Sequence, residues 1–293
     1  MSASATTAAA PARAGWRRSQ AFWLYLPALV ILLVFFGLPL YESALQSLGI
    51  SSIPGTPSAF TLQYYRKLFL DPYYLGLIGE TLKVSAITTV LCLLAGYPIA
   101  YFIVRRAGRW VGPLLFVLIM PLLTSIIMRT FGWNVLFARR GIVNVALMGM
   151  GLINQPLRVL DGASIVYAGM VHVMVSFMVL SIIPVLRSVD RRLEESARVL
   201  GAGAMRTFFL VTLPLSMEGI ITGCLIVFMI TNGSFVTLLL LGNSSVVTLP
   251  LLIYQQFNQT QDMNFASAMG TLLLVIVLAC LYVQSRIGKG RAA

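Results

Sequence analysis

Six stretches of this chain are long and apolar enough to cross a lipid bilayer, and that pattern limits the folds open to it. A helix needs about 20 consecutive apolar residues to span the hydrocarbon core. In lipid each span must satisfy its own backbone N–H and C=O groups, so an open chain that crosses has to be helical. The runs fall at about Ala21–Tyr41, Leu77–Val104, Val111–Met128, Ser164–Leu186, Leu215–Leu241 and Phe265–Ser285. Charged residues make up 10% of the sequence, against about 25% in a soluble domain. The expected fold class is therefore all-α: a polytopic membrane protein with six transmembrane helices.

The basic residues set the expected orientation. Fourteen of the 21 Lys and Arg residues lie on the side of the termini. They are Arg13, Arg17 and Arg18; Arg105, Arg106 and Arg109; Arg187, Arg191, Arg192, Arg198 and Arg206; and Arg286, Lys289 and Arg291. The opposite side holds Arg66, Lys67, Lys83, Arg129, Arg139, Arg140 and Arg158. Cytoplasmic loops carry the excess of Lys and Arg, so both termini are expected in the cytoplasm. The net charge of +12 is thus placed in loops between spans, not gathered into a nucleic-acid surface.

The domain organisation expected is a disordered cytoplasmic tail over 1–20, a single membrane domain over 21–286 and a short cytoplasmic tail over 287–293. The first apolar run is longer than the core of a signal peptide, and no small-x-small cleavage site follows it. It reads as a retained span. Cys92, Cys224 and Cys280 all lie inside apolar runs and read as packing residues, with no metal or disulfide role. Between the third and fourth spans, Ile142–Leu152 is apolar but too short to cross. A short helix at the outer surface or dipping into the bundle is expected there. Pro98, Pro121 and Pro184 predict kinks.

The segment 187–214 is the most specific part of the sequence. Leu186, Val189, Leu193, Ala197 and Leu200 recur every three or four residues, predicting one apolar helical face. Glu194 and Arg198 stand in the favourable i,i+4 order for a helical ion pair. Ser188 or Asp190 is placed to cap the start, and Gly201 with Gly203 to end the helix. Periodicity leaves two readings open: a helix lying on lipid headgroups, or one docked in the groove of a partner protein.

The segment then reads Glu195-Ser196-Ala197, three residues, Gly201, nine residues, Val211-Thr212-Leu213-Pro214. It closely resembles the EAA loop of permease subunits of binding-protein-dependent ABC importers, with Ser196 for Ala and Val211 for Ile. The resemblance implies the type I importer permease fold, with 187–214 as a cytoplasmic coupling loop. It also implies that Glu195, Ser196, Ala197, Gly201, Leu213 and Pro214 couple this chain to an ATPase. The chain carries no G-x-x-x-x-G-K-[ST] phosphate loop. No cofactor is expected on it, and ATP with magnesium is expected on the partner. It is accordingly expected to be a transport subunit and not an enzyme.

Further residues resemble the first permease of spermidine/putrescine-type systems. These are Ser125–Trp133 with Gly141–Asn144, Leu213–Ser216, and Gln256-Phe257. The resemblance implies four partners: a second permease, an ATPase dimer, a periplasmic binding protein and membrane lipid. The implied cargo is a small polar solute, a polyamine or a related amino compound. Where that branch commonly carries an acid in a G-D-F-V-T-like segment, this chain has Gly233-Ser234-Phe235-Val236-Thr237. Pathway candidates are Asn232, Ser234, Phe235, Thr237 and Arg129. Asn232, Ser234 and Thr237 serve equally well as interhelical hydrogen-bond formers, and Arg129 as a snorkelling cation. His172 is read as bonded to a neighbouring helix, and Glu80 with Lys83 as an i,i+3 couple. The competing class is a self-contained secondary transporter driven by an ion gradient. It lacks support from any acid–base relay within the spans.

Overall fold

A computed structural model describes residues 25–50, 59–157, 162–242 and 246–289, with the backbone alone for 284–289. The tail expected over 1–20, the start of the first span at Ala21 and the last residues, 290–293, lie outside that range. Among the described residues all regular structure is helical. Four helices are long and apolar enough to cross on their own: α1 (Tyr25–Ser47), α3 (Pro72–Arg105), α7 (Ala163–Ser188) and α13, which runs over Met263–Lys289. Two bent pairs complete six passes when each is counted as one. Helix α13 continues to Lys289.

The longest helix, α3, begins where local chemistry dictates. Asp71 is extended and its carboxylate accepts from the Tyr73 amide at 2.9 Å, while Pro72 occupies the first helical turn. An Asp cap followed by Pro is a strong start signal, because it satisfies an orphan N–H and needs none at the proline. Short α2 (Gln63–Leu70) precedes it and buries Leu68 against the far end of the bundle. Pro98 and Pro184 lie within α3 and α7, which nevertheless run on as single helices.

The expectation of a continuous third span over Val111–Met128 is corrected. Helix α4 (Val111–Leu123) stops, Thr124 and Ser125 are extended, and α5 (Ile126–Phe137) opens a second leg, Ile126–Gly149, bent by 98° from the first, Gly108–Leu123. The Thr124 hydroxyl donates to the Met120 carbonyl at 3.0 Å, a local bond of the kind that competes with helix continuation. Helix α6 (Ile142–Gly149) follows as the short element expected there.

The fifth span is also interrupted. Helix α9 (Ala204–Leu215, with a widened turn over Phe208–Thr212) meets α10 (Met217–Asn232) at 66°. The helix then ends at Asn232, before Gly233, and α11 (Val236–Leu241) resumes after Phe235. The predicted run Leu215–Leu241 thus holds two helices, α10 and α11, and meets α9 only at Leu215. Gly233 and Ser234 are weak helix formers, and nothing in the hydropathy marks the breaks.

Helices α3, α7 and α10 form the core, joined around Cys92, Ala100, Met178, Val179, Ile182 and Val227. Their close approach depends on small residues, as expected where lipid supplies no hydrophobic drive between helices. A Cβ on Gly219 would lie 3.1 Å from both the Ile182 Cα and the Ser181 carbonyl oxygen. Helix α1 leans on α13 and is otherwise exposed along its apolar length.

Candidate functional site

The coupling segment folds as two short helices with a tight corner. Helix α8 (Arg191–Val199) starts at Asp190, whose carboxylate accepts from the Arg192 amide at 3.0 Å. Of the two capping candidates, Asp190 takes the role; the Ser188 hydroxyl instead donates to the Val185 carbonyl of α7. The helix ends in a Schellman turn. The Gly201 amide donates to the Arg198 carbonyl at 2.9 Å and the Ala202 amide to the Ala197 carbonyl at 3.0 Å. Gly201 has φ +85°, a conformation that strongly favours glycine, and it turns the chain into α9.

The single apolar face expected from Leu186 to Leu200 is corrected. The helix breaks between Ser188 and Arg191, so Leu186 and Val189 are buried in the bundle while Leu193 and Leu200 are not. Val199 and Leu200 are each 87% exposed. Glu195 and Ser196 are exposed beside them, Ala197 and Leu213 are half-buried, and Gly201 and Pro214 are exposed.

The expected Glu194–Arg198 pair does not form. Glu194 points into the protein, and its carboxylate meets Arg105 at the end of α3 at 2.7 Å, both side chains 8% exposed. Thr212 donates to the same Glu194 oxygen at 3.2 Å. Arg105 also donates to the Val189 carbonyl at 3.2 Å, and Arg191 to the Val104 and Arg105 carbonyls at 3.1 and 3.3 Å. Those carbonyls belong to the last turn of α3, which has no intrahelical partner for them. None of these residues was singled out from sequence as a site residue. Arg105 and Glu194 are 89 positions apart, and no spacing rule connects them.

The pathway candidates sit elsewhere. Asn232, Ser234, Phe235 and Thr237 lie at and just beyond the other end of α10, a helix of 16 residues and so about 24 Å long at 1.5 Å per residue. Asn232 is fully buried, and neither atom of its amide has a partner among the described residues. Ser234 and Phe235 are half-buried in the break, and Thr237 is buried at the start of α11. Phe235 stacks on Tyr254 with ring centroids 5.1 Å apart. Trp133 stacks on Phe137 at 5.3 Å and takes the edge of His172 at 5.7 Å. His172 is exposed on the chain and has this ring contact in place of the hydrogen bond expected for it. Arg129 lies in the first turn of α5, and its guanidinium donates to the Pro121 carbonyl at 2.8 Å. Glu80 and Lys83 do pair, at 3.2 Å. Among the described residues no cluster of His, Cys, Asp and Glu is suited to a metal.

A profile of the family described as Binding-protein-dependent transport system inner membrane component matches residues 10–289. The chain belongs to that family. It is the permease of a binding-protein-dependent ABC importer, a multi-pass protein of the bacterial inner membrane, as the EAA-like segment led one to expect. The self-contained secondary transporter is thereby set aside. Among its relatives is the Spermidine/putrescine transport system permease protein PotB of Haemophilus influenzae. It is 34% identical over 229 residues, covering 78% of this chain and 80% of that one. The Molybdenum transport system permease protein ModB of Mycobacterium bovis is 28% identical over 262 residues, covering 87% and 89%. In fold the chain matches a bacterial alginate ABC transporter, solved with its alginate pentasaccharide-bound periplasmic protein. The TM-score is 0.74 at 19% identity, over 93% of this chain and 98% of that one.

Proposed function

We propose that this permease forms half of a translocation pathway beside a second permease, and that a separate ATPase dimer, binding ATP and magnesium, drives it. The observation that carries this reading is the form of α8. Its inner side is bound by Arg105, while Glu195, Val199 and Leu200 face outward on a rigid corner set by Gly201. Exposed apolar side chains beside an exposed carboxylate suit a cleft on a partner protein. Glu195, Ser196, Ala197, Gly201, Leu213 and Pro214 are assigned to that contact. The basic residues around it support a cytoplasmic location for this end and for both termini.

The solute is a polyamine or a related small amino compound, delivered by a periplasmic binding protein. Identity to PotB supports this choice. So do the stacked rings at the break in the fifth span, since aromatic faces attract organic cations. Ser234 replaces the acid of that branch, so charge recognition falls mainly to the binding protein.

The test is uptake by the full importer, assembled with the ATPase, second permease and binding protein expected to be encoded beside it. Glu195→Lys and Gly201→Asp should abolish ATP-driven uptake while the protein remains in the membrane. Normal uptake by either variant defeats the coupling assignment. Calorimetry of the binding protein with spermidine and putrescine tests the solute, and no binding of either removes the polyamine reading.

A further inference from the structure

Helix α8 has nine residues, too few to be stable alone. It buries one residue, Glu194, in its own chain and exposes Leu193, Val199 and Leu200. The buried Glu194 carboxylate is therefore its main inward attachment. That attachment leads to α3, a helix not adjacent in sequence to the coupling segment.

Four pieces of chain converge on the ion pair. Arg105 ends α3, Val189 links α7 to α8, Glu194 lies in α8, and Thr212 lies in the widened turn of α9. Arg191 adds a second tie by capping the α3 carbonyls. The Arg105 Nε is buried with no partner among the described residues. A buried charge whose donors are incompletely satisfied favours any arrangement that completes them, which suits a joint that changes between states.

At its other end α3 is bonded to the far side of the bundle. The Thr81 hydroxyl accepts from the Leu249 amide at 2.8 Å, at the start of α12 (Leu249–Gln255). Tyr74 packs edge-on against Phe265 of α13, with centroids 5.0 Å apart. A displacement applied at Arg105 therefore reaches elements at the opposite end through one continuous helix of 34 residues.

We infer that the Glu194–Arg105 ion pair is a coupling clamp: it positions α8 and transmits its movement to the second span, α3. This rests on the reading that α8 docks on the ATPase. Both residues are positioning residues and touch neither ATP nor solute.

The experiment uses the complete importer in proteoliposomes and reads solute taken up per ATP hydrolysed, together with ATPase retained on the purified permease. Glu194→Gln and Arg105→Gln should each retain the ATPase and lower the uptake-to-hydrolysis ratio at least tenfold. The double replacement Glu194→Met with Arg105→Met removes both buried charges, which favours folding relative to either single change. It should assemble normally yet keep the low ratio. The exchanged pair Glu194→Arg with Arg105→Glu should recover the ratio at least in part. An unchanged ratio in both single variants overturns the clamp. So does a normal ratio in the double methionine variant, which would reduce the pair to a folding role. Loss of ATPase from the single variants also overturns it, because docking and not transmission would then be affected. Glu195→Lys measured in parallel separates the two readings. If it retains the ATPase and a normal ratio, the docking assignment has failed, whatever the ion-pair variants do.

Discussion

The hydroxyls of Tyr97 and Ser216 lie 2.8 Å apart, a hydrogen bond that ties the second span to the bend at the start of the fifth. Ser216 is fully buried, and its own hydroxyl also lies 3.0 Å from the Leu213 carbonyl. The Tyr97 ring additionally takes the edge of Phe208 at 5.5 Å. Tyr97→Phe keeps the ring and removes the bond, which should cost about 1 kcal/mol. Tyr97→Ala also opens a cavity and should cost about 3–5 kcal/mol. Thermal unfolding of the purified permease in nanodiscs checks the order. Equal losses for the two variants would mean that the ring contributes nothing.

The glycines of the fifth span make a sharper contrast. A Cβ at Gly223 would meet the Met178 Sδ at 2.7 Å, the flexible end of a side chain that can swing away. At Gly219 it would meet the backbone of Ser181 and the Cα of Ile182, both at 3.1 Å, which cannot move without parting the helices. Gly219→Ala should therefore destabilise by about 1–3 kcal/mol, and Gly223→Ala by less. Melting temperatures measured side by side settle the order, and a larger loss at Gly223 would contradict the packing described.

Legibility from sequence followed physical range. Spans, basic loops and the Gly201 corner depend on local composition and period, so runs such as Ala163–Ser188 are readable within a few residues. The breaks at Thr124–Ser125 and Gly233–Phe235 are not legible in the sequence, because hydropathy averages over a window and stays high through both. Helical spacing pairs Glu194 with Arg198, because i,i+4 proximity is what a sequence offers for an ion pair within one helix. The true partner of Glu194, Arg105, becomes a neighbour only after two spans have packed. Ser234 and Thr237 were picked out by chemistry, yet their place at a break in the helix was a feature of packing.

At Gly201 the backbone, and not the surrounding space, is what restricts substitution. No heavy atom lies within 4 Å of a Cβ placed there, but φ is +85°. Asn tolerates the left-handed region better than other side chains, whereas a β-branched residue is strongly disfavoured in it. Gly201→Asn should keep a substantial part of uptake, and Gly201→Val should lose most of it at equal amounts in the membrane. ATP-driven uptake normalised to permease content tests this; equal activity would show that the corner does not need the φ observed.

The Arg129 guanidinium spans a bend between two helices. It donates at 2.8 Å to the Pro121 carbonyl, in the last turn of α4, just before the chain turns through 98°. Those last carbonyls have no helical partner, and a cation close to a helix C-terminus is favourable. A charge-assisted bond of this kind is worth about 1.5–3 kcal/mol. Arg129→Met should lower the stability of the purified permease by about that amount, and Arg129→Lys should recover part of it. Neither change should alter the preference between spermidine and putrescine in competition uptake. A shifted preference with unchanged melting temperature would instead place Arg129 against the solute.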